Sequence, residues 1–327
     1  MSGIPRVQSF VVGCVAALTG LVVAPAEAAP PSVEVGLLET IATFDPSMGD
    51  TPESLVIDSC DNIFVSMALS GEIVKVDPNG LLSTHAVLPI GSPFDVATFS
   101  GIMGAMVIDR FDDIYVNVSA VDPADRGVWV VHPDGSSGLV ANLPPSAVPN
   151  GIAKRGRTVY VADSAAEGKV WAVPLDGGEP YTWAEHPLLD SNPLIPFPGP
   201  NGVQIFRGEL YVSNSNTAQI VAFPFPEGGE PRVVADVGCD DFAFDVKRNL
   251  YCGTDPFNTV LKVAPDGSVE TLLDVDDGLD GPTAVLFGRF GVDRFKLYIA
   301  NAAFPFFSDD PMPSLMRLSL EHRGGRR

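Results

Sequence analysis

Basic side chains are scarce in this sequence. Its 327 residues hold 20 Lys and Arg against 41 Asp and Glu, a formal net charge of −21. A surface of that sign repels phosphate backbones, so nucleic acid is not an expected partner. It suits a cation, or simple solubility. Histidine and cysteine are sparse as well, four of each, and neither is spaced as a zinc site requires. No apolar run after the N-terminal one resembles a membrane span, and no segment of the mature chain shows a convincing amphipathic 3.6-residue period. Charged residues make up 19% and hydrophobic residues 46%, which rules against a disordered chain and provides for a sizeable core.

The N-terminus reads as a secretory signal over residues 1–28. Arg6 gives the positive start, residues 10–23 are largely apolar, and Ala26-Glu27-Ala28 is an A-x-A cleavage site. The apolar stretch falls short of the roughly 20 residues of a transmembrane helix; an uncleaved anchor is the alternative. A secreted or periplasmic location follows, with no membrane span after signal removal. The mature chain then keeps Cys60, Cys239 and Cys252. They are read as small buried hydrophobes, with a Cys239–Cys252 bridge as the alternative in an oxidising compartment.

Glycine (32) and proline (30) are abundant but scattered, as in a chain of short strands and many turns. One signature recurs six times, a branched residue, an aromatic, then a small or branched residue. It occurs as Ile63-Phe64-Val65, Ile114-Tyr115-Val116, Val159-Tyr160-Val161, Leu210-Tyr211-Val212, Leu250-Tyr251-Cys252 and Leu297-Tyr298-Ile299. The aromatics lie 51, 45, 51, 40 and 47 positions apart, a period that belongs to propeller blades. A short strand precedes each copy, and an alternating strand such as Ile73-Val74-Lys75-Val76 follows. A weaker fourth strand comes after that. The expected fold is all-β, a six-bladed β-propeller of four-stranded antiparallel blades in one domain over residues 29–322. The last copy lacks an obvious fourth strand; residues 33–44 are expected to supply it and close the ring. Residues 323–327 form a basic tail, expected to be disordered.

The residue just before each blade's innermost strand lies at one mouth of the central channel. The six positions are Glu53, Gly104, Asn150, Asn201, Asp240 and Thr283, with Asp241 beside Asp240. Two carboxylates and two amides at one repeat phase are oxygen donors only. Such a set suits a hard cation, Ca2+ first, with Mg2+, Mn2+ or Zn2+ as competitors. The plain alternative is turn chemistry, since Pro-Asn-Gly favours tight turns. Two longer connections, 92–100 and 186–198, are expected either to offer contacts to a ligand or to cover the channel mouth.

At these residues the chain resembles the family of gluconolactonase, regucalcin and luciferin-regenerating enzyme. The resemblance spans residues 33–320, with the family's order of Glu in blade one, Asn in blades three and four, and Asp in blade five. It implies that Glu53, Asn201 and Asp240 are metal ligands and that Asn150 contacts substrate or a metal-bound water. Asp240 would double as the catalytic base in hydrolysis of a small-molecule lactone or ester. Asp241 and Thr283 are further candidates for substrate contact, and Asp241 is the alternative ligand to Asp240. The sequence departs from the family at Pro52-Glu53-Ser54 and Cys239-Asp240-Asp241, and it offers no match to the family's arginine and glutamate around blade two. Two other readings stand beside the hydrolase: a non-enzymatic binding propeller with a structural metal, and a strictosidine-synthase-like propeller with a channel acid.

Overall fold

A computed structural model describes residues 34–321 except 166, 193 and 195–197. The signal and the basic tail expected at residues 1–28 and 323–327 lie outside the described residues. Strand β1 (Glu34–Thr43) comes first. Blade one is β2 (Pro52–Ile57), β3 (Ile63–Met67), β4 (Glu72–Val76) and β5 (Leu82–Val87). Blade two is β6 (Ile102–Ile108), β7 (Ile114–Ser119), β8 (Gly127–Val131) and β9 (Ser137–Asn142). Blade three is β10 (Pro149–Arg155), β11 (Thr158–Asp163), β12 (Lys169–Pro174) and β13 (Tyr181–Glu185). Blade four is β14 (Pro200–Phe206), β15 (Glu209–Asn214), β16 (Gln219–Pro224) and β17 (Arg232–Ala235). Blade five is β18 (Phe242–Phe244), β19 (Leu250–Thr254), β20 (Thr259–Val263) and β21 (Val269–Leu273). Blade six has β22 (Pro282–Phe287), β23 (Lys296–Asn301) and β24 (Ser314–Glu321), and its outer strand is β1, paired antiparallel with β24. No α-helix occurs among the described residues.

The first strands contact one another in a cycle, β2–β6, β6–β10, β10–β14, β14–β18, β18–β22 and β22–β2. The molecule is therefore a six-bladed β-propeller. The six repeat aromatics, Phe64, Tyr115, Tyr160, Tyr211, Tyr251 and Tyr298, are all buried. They help fill apolar clusters at the seams between neighbouring blades; Val56, Phe64 and Ile73 of blade one, for example, meet Met106, Ile114 and Val116 of blade two. A four-stranded sheet has two apolar faces, and only a neighbouring blade on each side removes both from water.

The seams are also laced by polar side chains aimed at the next blade's first strand. Asn117 donates to the carbonyl oxygens of Asn150 (2.6 Å) and Gly151 (3.1 Å). Ser213 donates to the Asp240 carbonyl at 2.7 Å, and Thr283 to the Pro52 carbonyl at 3.0 Å. Backbones approach so closely here that glycine is required. A Cβ on Gly202 would stand 2.7 Å from both the Asp240 carbonyl oxygen and Asp241 Oδ1, and one on Gly151 would collide with the Asn201 carbonyl.

One expectation is overturned. Cys239 and Cys252 are not independent buried thiols but form a disulfide, with Cα atoms 5.7 Å apart. The 13-residue separation spans the turn between β18 and β19, whose register sets Cys252 opposite Phe242 at the start of β18. The antiparallel ladder thus carries the segment holding Cys239 alongside β19. Cys60 is a free, exposed thiol.

Candidate active site

A cavity of about 580 Å3 opens at one end of the propeller axis. Its polar end is built by Glu53, Asn150, Asn201, Ser215, Asp240 and Asp255. Four of these are channel-mouth positions read from the repeat phase: Glu53 on β2, Asn150 on β10, Asn201 on β14, and Asp240 just before β18. Asp241 and Thr283 are placed beside the cavity rather than on its wall. Asp241 Oδ1 accepts from the Phe242 amide at 2.9 Å, and Thr283 is fully buried on the main chain of blade one.

Asp255 is the residue that sequence reasoning missed. It follows β19, four positions after the repeat aromatic Tyr251. The same phase gives Ser215 in blade four, which also lines the cavity. The second-strand exits therefore form another set of mouth positions, and counting forward from the aromatic would have found them. Asp255-Pro256 reads instead as turn chemistry.

Local structure fixes these groups. The Asp240 amide donates to the Gly253 carbonyl (2.9 Å), Gly253 donates back to the Asp241 carbonyl (3.2 Å), and the Asp241 amide donates to the Thr283 carbonyl (2.9 Å). The disulfide ties the same two segments together one residue away on each side. Asn201 is buried, and its Nδ2 donates to Ser215 Oγ at 3.1 Å. Ser215 Oγ in turn donates to the Cys239 carbonyl at 2.8 Å.

The electrostatics are those of crowded acids. Burial, then the charges of Asp255 and Asp241, push the Glu53 carboxyl up to about 8. Asp240 is raised well above the usual carboxylate range by burial and by Glu53, Asp255 and Asp241, with a hydrogen bond from Asn201 opposing. Burial raises Asp241 to about 7, and burial with the Asp280 charge raises Asp255 to about 7. All four keep some accessible area, yet protein surrounds them deeply enough for desolvation to dominate. Among the described lining residues there is no Lys, Arg or His to offset them. Asp255 Oδ1 is buried without a hydrogen-bond partner. Clustered carboxylates, an adjacent amide and an unpaired acceptor fit a hard cation. Among the described residues no three His, Cys, Asp or Glu groups form a metal cage by themselves, so the amide would belong to any such set.

The rest of the cavity is apolar. The connection between β5 and β6 contributes Phe94, Val96 and Phe99, and that between β23 and β24 contributes Phe304, Phe306 and Phe307. The β5–β6 connection is the 92–100 segment singled out in the sequence; from the other such segment, 186–198, Pro198 reaches the wall.

A six-bladed propeller with an acid-lined axial cavity is the class that fold and site define. No protein-family model and no curated protein matches the chain. Solved structures do. A gluconolactonase of Xanthomonas campestris superposes with a TM-score of 0.64 at 15% identity, over 87% of this chain and 89% of that one. The calcium-binding protein regucalcin of Agrobacterium tumefaciens C58 gives 0.63 at 14%, over 87% and 94%. The PQQ-bound aldose sugar dehydrogenase of Streptomyces coelicolor gives 0.64 at 14%, over 89% and 99%. At these identities the likeness is one of fold. It is the fold of the gluconolactonase and regucalcin propellers.

Proposed function

We propose that this propeller is a metal-assisted hydrolase of a lactone or related ester. The observation that carries the reading is the gathering of Glu53, Asn201, Asp240 and Asp255 on the wall of a largely apolar cavity. Glu53, Asn201 and Asp240 are the residues that would hold a divalent cation, Ca2+ first, with Asp255 lining the same cavity. When bound, such a cation supplies charge stabilisation for a carbonyl oxygen gaining negative charge.

The chain's own groups supply the rest. Asp240 takes the proton from the attacking water. Burial and neighbouring acids raise its proton affinity above that of an ordinary carboxylate, the direction that strengthens a base. Asn150 faces the cavity and orients the ring or acyl oxygen. Asp241 and Thr283 act behind the wall: the Asp241 amide bonds to the Thr283 carbonyl, and Thr283 bonds onward to blade one, so the pair holds Asp240 in place. The Cys239–Cys252 bridge fits an oxidising compartment and supports export by the N-terminal signal.

The test is turnover of a broad lactone and ester panel with Ca2+, Mg2+, Mn2+ or Zn2+, before and after chelation. Turnover of at least one substrate, lost on chelation and in Asp240→Asn, is expected. No metal-dependent turnover across the panel refutes the reading.

A further inference from the structure

We infer, resting on the hydrolase reading for the reaction but not for the ligand, that this cavity takes an uncharged lactone or ester bearing a hydrophobic alkyl or aryl group, and not a polyhydroxylated sugar lactone. Two loops from distant parts of the chain make its wall, and they meet through aromatic rings. Phe94 of the β5–β6 connection stacks on Phe306 of the β23–β24 connection, with centroids 5.9 Å apart and planes 23° from parallel. Phe304 stacks on Phe306 at 4.9 Å, and Phe94 meets Phe99 edge to face at 6.0 Å. Such a wall gives no hydrogen bond to a sugar hydroxyl, and each hydroxyl buried against it loses its water partners without replacement.

Part of the polar end is already engaged. Asn201 Nδ2 is engaged with Ser215 Oγ, and Ser215 Oγ donates to the Cys239 carbonyl. No basic side chain among the described lining residues would pair with an anionic group. The substrate is therefore neutral, with its reacting carbonyl at the acidic end and an apolar part along the phenylalanines. A cavity of about 580 Å3 has room for both. Val96, Phe306 and Phe307 stay 65%, 48% and 53% exposed at its mouth, apolar surface that a long substituent would cover.

The experiment measures binding by titration calorimetry, using δ-lactams, which resist hydrolysis, with alkyl substituents from methyl to octyl, beside the lactam analogue of gluconolactone. Affinity is expected to rise roughly fourfold per added methylene until the cavity is filled, about 0.8 kcal/mol per buried CH2. The sugar lactam should bind at least tenfold more weakly than the octyl member. Phe94→Ser and Phe306→Ser should flatten the chain-length dependence, weakening the octyl member far more than the methyl member. A flat series, no binding by any member, or tighter binding of the sugar lactam overturns the inference. Turnover of the matching lactones is read on the same preparation. Chain-length-dependent binding without turnover upholds the ligand class and counts against the hydrolase; turnover with a flat series upholds the hydrolase and overturns the ligand class.

Discussion

The Gly202 amide donates to the Asp240 carbonyl oxygen at 3.0 Å across the seam between blades four and five. No side chain separates the two backbones, and a Cβ at 202 would lie 2.7 Å from that oxygen. The main chain carrying the candidate base is thus seated directly on the neighbouring blade. Gly202→Ala should cost about 1–3 kcal/mol, the usual toll of overpacking, and lower the melting temperature by several degrees. It should also shrink any stabilisation by added Ca2+, because it displaces Asp240. A thermal melt with and without the ion checks both; an unchanged melt shows the seam to be slack.

Acid crowding predicts an inverted pH dependence for protein stripped of divalent cations. The raised carboxyls of Glu53, Asp240, Asp241 and Asp255 hold protons in the folded state at pH values where the unfolded chain has lost them. The native state then binds more protons, so this stability is complete below the ordinary carboxylate range and is lost as pH rises through about 7 to 8. Exposed acids whose values are lowered, such as Asp77 and Asp95, act in a more acidic window. The chelated protein should melt lower at pH 8.5 than at pH 5.5, and saturating Ca2+ should narrow the gap. Differential scanning calorimetry in chelator across that range is the measurement, and a melting point that climbs with pH contradicts it.

The Cys239–Cys252 bridge lies beside the residues it would position. Replacing both cysteines by serine should cost about 3 kcal/mol, as expected for a short closed loop. The double variant should also show a weaker Ca2+ response, since the segment bearing Asp240 and Asp241 loses its tie to β19. Urea melts and ion titrations of the variant against the parent would reveal either effect, and parental behaviour in both would reduce the bridge to a bystander.

Removing residues 29–46 strips β1 from blade six and leaves β24 as an unpaired edge. A drop in melting temperature of roughly 10 °C or more is expected, as for the loss of several kcal/mol in a domain of this size. An unchanged melting curve would mean that β1 adds nothing to the ring.

How much of this could be read beforehand depends on what repeats. The strands were legible because every blade must place an aromatic at a seam, so Phe64 and its five tyrosine counterparts mark the period. Glu53, Asn150, Asn201 and Asp240 were legible for the same reason: each stands 10 or 11 positions before that aromatic, where the first strand enters the channel. Asp255 was not, because five of six second-strand exits carry serine or alanine and the acid occurs once. The disulfide stood only as the alternative reading, because sequence spacing does not reveal which residues the β18–β19 ladder sets side by side. The phenylalanine wall escaped too, since its two halves lie some 200 positions apart and meet only when blade six reaches blade one.

The pairing of β1 with β24 has a consequence in time as well as space. A ribosome makes β1 first and β24 last. Blades one to five can each form as their own residues emerge, but the sixth sheet must wait for the end of the chain. Until then β1 is a solitary strand, and the aromatic wall lacks the half carrying Phe304 and Phe306. A half-made chain therefore holds no finished cavity, and any ligand-binding capacity arrives in one step, with the final strand.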